Sequence, residues 1–243
     1  MARTTLGNTV QIVGQDVFVD SSTQQHDLGA YAETPDGRGF RYCKVGGTSL
    51  VAGRLYQSPA EDTTNMQNLT AAVNSVGDTS VTTTTTVTLT VNQLAGGTLV
   101  VVSATLGSGR MYKIKSNTAA TGAVVTFVLE DPIRVATTGT VKIDVHPNAY
   151  DGVIITPAAT ATSACVGVAV GVVTNAQYGW LQTHGAAPVL SSTAMAIGDS
   201  VIPINATAAG AATRATDGVK APIGYALTGT ATTDVGHVFL TID

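Results

Sequence analysis

Apolar and polar residues alternate strictly along Val87-Thr88-Leu89-Thr90-Val91 and again along Val141-Lys142-Ile143-Asp144-Val145. A period of two sends every second side chain to the same side, so each segment predicts a strand with one apolar face. Residues 99–102 and, around a single Thr126, 124–129 are apolar runs of strand length, the pattern expected of strands buried on both faces. Residues 82–86 are five consecutive threonines. Branching at Cβ suits threonine to extended backbone, and this run predicts an edge strand. Gly96-Gly97, Gly107-Ser108-Gly109, Thr121-Gly122 and Asp151-Gly152 punctuate the strands, and Asp131-Pro132 marks a break. These signals define a β-rich module over residues 78–157.

Shorter apolar runs at 166–173, 178–182, 200–204, 223–227 and 238–242, separated by frequent glycines, predict a second β module over residues 158–243, a small barrel or sandwich. One stretch has helical period. Met66, Leu69 and Val73 are spaced by three and four, and Ser58-Pro59-Ala60-Glu61 reads as a capping box, with Ser58 as N-cap and Glu61 reaching back. A short helix over 58–74 is expected, within a linker of residues 58–77. Residues 1–57 carry short apolar pieces, Gln11-Ile12-Val13 and Val17-Phe18-Val19, between polar turn clusters, and Pro35-Asp36-Gly37-Arg38-Gly39 has strong turn chemistry. They predict an extended N-terminal arm that becomes ordered against a neighbour. The fold class is therefore all-β: sandwich or barrel-like modules, an extended arm and one short helix.

Composition sharpens this picture. Of 243 residues, 44 % are hydrophobic, so the chain can build a core. Only 12 % are charged, about half of the ~25 % usual for soluble domains, which fits surface destined to be covered by other subunits. Twelve basic against 16 acidic residues give a net charge of −4. Nucleic-acid binding rests on Lys and Arg displacing counterions, so no nucleic-acid partner is expected; Arg110, Lys113 and Lys115 read as a solvated strand face. No apolar stretch approaches the ~20 residues that span a bilayer, and the first residues lack the apolar core of a secretory signal. A soluble protein made in a cytoplasm, with no membrane partner, is expected.

Motifs for chemistry are missing. The sequence has no phosphate loop, dinucleotide fingerprint or nucleophile elbow. His26, His146, His184 and His237 are scattered, Cys43 and Cys165 lie far apart without metal-ligand spacing, and the adjacent pairs Glu61-Asp62 and Glu130-Asp131 fit a helix start and a strand-ending turn. No enzyme activity, metal or cofactor is expected. The most informative stretch is Asn175-Ala176-Gln177-Tyr178-Gly179-Trp180-Leu181-Gln182-Thr183-His184-Gly185, which holds the single tryptophan beside Tyr178. A solitary Trp with Tyr anchors a small core or an interface.

That stretch, with Gly167-Val168-Ala169, Ile197-Gly198-Asp199 and Ile223-Gly224-Tyr225-Ala226-Leu227, resembles structural proteins of tailed bacteriophages that decorate, cement or form fibres on the head. Phe40-Arg41-Tyr42-Cys43-Lys44-Val45-Gly46-Gly47 and residues 50–57 are similar to the same group. The C-terminal glycine pattern also resembles the β-tulip of small phage decoration proteins. The resemblance implies a virion protein on the outer capsid surface, a homotrimer partnered by the major capsid protein, with an interface in place of a pocket. The interface residues are then expected among Ile12, Val13, Phe18, Arg38, Phe40, Arg41, Tyr42, Tyr178 and Trp180. The arm would add strands to capsid subunits and the 78–157 module would project outward. The alternative is a tail or fibre component that recognises a host-surface glycan.

Overall fold

A computed structural model describes residues 9–11, 17–122, 124–203, 208–216 and 221–243. The protein is all-β, with no α-helix among the described residues. It forms two compact units, residues 1–60 with 149–243 (unit 1) and residues 61–148 (unit 2).

Unit 1 opens with β1 (Thr9–Gln11), β2 (Tyr31–Glu33), β3 (Gly39–Val45) and β4 (Leu55–Gln57). It resumes after unit 2 with β13 (Asp151–Ile155), β14 (Cys165–Ala169), β15 (Tyr178–Leu190), β16 (Ser200–Ile202), β17 (Thr213–Arg214), β18 (Gly224–Ala226) and β19 (Val235–Thr241). Strands β3, β13, β4, β14 and β15 pair in that order, and β3 pairs back onto β15, closing a ring. Cys43, Val45, Tyr56, Val153 and Leu181 fill it with Leu50 and Val173. β15 is 13 residues long and serves two sheets. Residues 178–184 pair with β3, and 184–190 pair with β19, which leads on to β18, β16 and β17. A second core, with Leu55, Val168, Ala187, Val189, Val201, Val238 and Leu240, covers one side of this extension.

Unit 2 contains β5 (Leu69–Ala71), β6 (Ser80–Thr84), β7 (Thr88–Leu89), β8 (Thr98–Ser103), β9 (Met111–Asn117), β10 (Ala120–Thr121), β11 (Val124–Leu129) and β12 (Val141–His146). Six of them close into a barrel in the order β11-β6-β5-β12-β8-β9. Its interior holds Val81, Leu99, Val101, Ile114, Val125, Phe127, Val141 and Ile143.

Several expectations are corrected. Residues 58–74 are not a helix. Ser58 bonds across the sheet, its N–H to the Ala164 carbonyl (3.0 Å) and its hydroxyl to Ser163, so it caps nothing. Asp62 instead closes one turn, accepting from the Asn65 N–H at 3.0 Å, and Asn68 then adopts a left-handed φ of 55° that ends any helical path. Asn and Thr compete with helical backbone through their own side chains, and here they prevail over the Met66/Leu69/Val73 spacing. Met66 still enters the core, whereas Val73 is exposed. Residues 82–86 do not form an edge: β6 lies between β5 and β11 in the closed barrel. The runs 99–102 and 124–129 are buried on one face only, because a barrel wall has one inside. The alternating segment 87–91 yields only the two-residue β7, paired with β10. Residues 17–57 are not free to add strands elsewhere. Described residues 17–57 supply β2 to β4, whose main-chain groups are spent within this chain, and the module boundaries fall at 60/61 and 148/149.

Candidate docking surface

The aromatic and basic residues of β3 and β15 meet because the two strands are antiparallel neighbours, with Trp180 opposite Tyr42 and Gln182 opposite Phe40. Residues on one parity, Phe40, Tyr42, Tyr178 and Trp180, point away from the ring interior that Cys43 and Leu181 fill. They are not left open. Residues 17–30 run over them as a strap, with Val17, Leu28 and Ala30 packed onto the cluster. Tyr42 and Trp180 lie edge-on at 5.0 Å between ring centres, and His26 from the strap contacts both at 5.2 and 5.3 Å. The Gln25 N–H donates to the Tyr42 hydroxyl (3.0 Å), and Ser21 exchanges two main-chain bonds with Tyr178. Asp20 accepts from the Thr174 hydroxyl and N–H (2.7 and 3.0 Å), which holds its carboxyl below its ordinary value.

The expected interface residues therefore divide. Phe40, Tyr42 and Trp180 are at most 4 % exposed and belong to the chain's own core, which removes them from any contact with a partner. Phe18 is 48 % exposed on the strap. Tyr178 is half-buried, stacked on Tyr42 with Lys44 near its ring. Arg38 pairs with Asp36 at 2.8 Å at the surface. Ile12 and Val13 lie outside the described residues.

Arg41 is a tie-point. Its Nε and Nη2 donate to the two Asp243 carboxylate oxygens (2.8 and 3.2 Å), its Nη1 donates to the Gly29 carbonyl (2.8 Å), and its guanidinium sits 5.1 Å from the Tyr31 ring centre. Burial alone would raise the Asp243 carboxyl, but the Arg41 hydrogen bonds and charge outweigh it and hold the group below 3.8. The same bonds raise the Arg41 guanidinium. Arg41 on β3 thus ties Asp243, just past β19, by an ion pair and the strap by a hydrogen bond.

The surface that remains accessible lies elsewhere on β15. Ala186 is opposite Phe239, and Phe239 is opposite Tyr225, so one row crosses three strands. Pro188 and His237 form the next row, with Leu227 joined to His237 through its N–H, and His184 stands opposite Thr241. Tyr225 stacks on Phe239 at 5.3 Å and 15°, and His184 meets Phe239 edge-on at 5.3 Å. Tyr225, Leu227 and Val235 are exposed, as are Ala186 and Pro188. No Asp, Glu, Lys or Arg stands among these face positions. The signal was present in Val235-Gly236-His237-Val238-Phe239-Leu240-Thr241, where apolar residues occupy both parities, but His and Gly mask it.

The reactive side chains stay inactive or apart. Burial pushes the Cys43 and Cys165 thiols up to about 12, leaving no thiolate to attack or to ligate at neutral pH. Both cysteines are free. Among the described residues no group of three or more His, Cys, Asp or Glu side chains could hold a metal ion, and no helix is long and apolar enough to cross a membrane. No family model matches the chain, and no curated protein or solved structure matches it.

Proposed function

We propose that this chain is a structural protein of a tailed-phage head that binds the outer surface of the capsid shell through the β15–β19–β18 face. The observation that supports the reading is that face: uncharged, exposed, rich in aromatics, and held on a rigid sheet with its own core beneath. Residues 178–185 of the phage-like block lie in β15, the strand on which the face is built.

Its size says how it would work. Three strands ~4.8 Å apart over ~20 Å of length present roughly 300 Å². A stable interface needs ~800 Å² from each partner. One copy would therefore bind weakly. A trimer would bind firmly, because linked contacts act at high effective concentration. Such a cement protein would prefer the expanded shell and stabilise it by mass action. Strand addition by residues 17–57 has no place in this mechanism, since those strands are already paired.

Phe239→Asp is the test, scored by occupancy on purified heads lacking the protein. Truncating one central aromatic and placing a charge in the contact should lower affinity at least tenfold per site, a loss of ~1.4 kcal/mol or more, with the fold unchanged by circular dichroism. Unchanged occupancy removes this face from the mechanism.

A further inference from the structure

We infer that a cleft at the β16–β17 end of the unit 1 sheet is a binding site for a small saccharide carrying one carboxylate. The cleft has a volume of about 390 Å³ and is lined by Thr193, Ala194, Ile202, Thr213, Arg214 and Thr216. Small-molecule sites usually span ~300–1,000 Å³. Ile202 and Thr213 are cross-strand partners and form a firm, buried floor, while Arg214 and Thr216 stand exposed at the rim.

The lining selects the ligand. Arg38, Arg41 and Arg134 each pair with an aspartate, but no carboxylate pairs with Arg214 among the described residues. A planar guanidinium is matched by a planar carboxylate through two parallel hydrogen bonds. A phosphate would be better served by a second cation or a cradle of main-chain N–H groups, and Arg214 is the one cation among the described lining residues. The Thr193 and Thr216 hydroxyls can both donate and accept, as sugar hydroxyls do. Ile202 and Ala194 offer an apolar patch for the C–H face of a pyranose ring. Among the described lining residues no aromatic side chain offers a platform for stacking a base. A hexuronate satisfies all three demands, and the site is independent of the capsid-binding face.

The test is an NMR titration of the isotope-labelled full chain with methyl glucuronide, methyl glucoside and acetate at up to ~10 mM. Glucuronide should move amide signals at 193–194, 202 and 213–216, and each of the other two ligands should bind about tenfold more weakly. Arg214→Gln should weaken glucuronide about tenfold, and Ala194→Trp, which fills the cleft, should abolish binding, both with native Trp180 fluorescence. Absence of localised shifts overturns the site. Equal binding of glucoside overturns the carboxylate, and undiminished binding by both variants places the ligand elsewhere.

Discussion

At the scale of single residues, position on the strand decides whether an aromatic or basic side chain is structural or accessible. Phe40, Tyr42 and Trp180 read in the sequence as anchors of a small core or an interface, and the strap of residues 17–30 covers them. No local pattern announces a cover supplied from 20 residues upstream. Arg41 shows the same point for charge, because its partner Asp243 is 202 positions away. That pair also gives the protein an acid limit. The folded Asp243 carboxyl titrates below its ordinary 3.8, so its stabilisation is complete above that value and is lost as pH falls through the folded value. Thermal melts should therefore show Asp243→Asn less stable than the parent at pH ~6, with the gap closing as pH falls below 3.8 and through the lowered folded value. A gap that persists at low pH would mean the Asp243 contact is not electrostatic.

Among the elements, β15 does the most. It closes the ring with β3, carries the extension through β19, and puts Tyr178 to His184 and Ala186 to Leu190 in different surroundings. The strand at 178–182 was legible, but its continuation through Ala186-Ala187-Pro188-Val189 was not, because small residues and a proline suggest a loop. Pro188 is tolerated because its partner His237 turns its own main-chain groups to the β18 side, accepting from the Leu227 N–H, so no ladder bond is asked of Pro188. The false helix at 58–74 has the converse cause: periodic apolar spacing interrupted by Asn65, Asn68 and Thr70, whose side chains compete with helical backbone. The neighbouring strand β18 depends on Gly224, where a Cβ would run into the Phe239 carbonyl oxygen. Gly224→Ala should cost roughly 1–3 kcal/mol in denaturant unfolding and loosen the Tyr225–Phe239 stack. A neutral result would show that β18 can shift without disturbing the face.

For the whole molecule, the all-β class was readable from alternation and turn spacing, and two β modules were foreseen. Their boundaries were not, because a chain that leaves a domain and returns to it 88 residues later gives no local sign: unit 1 closes with strands from both ends of the sequence, and unit 2, residues 61–148, is inserted between them. Unit 2 has a closed barrel and a core of its own. Expressed alone, residues 61–148 should give a single cooperative thermal transition and dispersed amide signals. Collapse of that fragment would tie its stability to unit 1. Electron microscopy of the intact virion bears most directly on the capsid assignment. Density for this chain should lie on the outside of the head, with Phe239 and Tyr225 turned onto the shell and their neighbours repeated about a local symmetry axis. Density confined to the tail, or a head whose outer surface lacks it, would contradict the account.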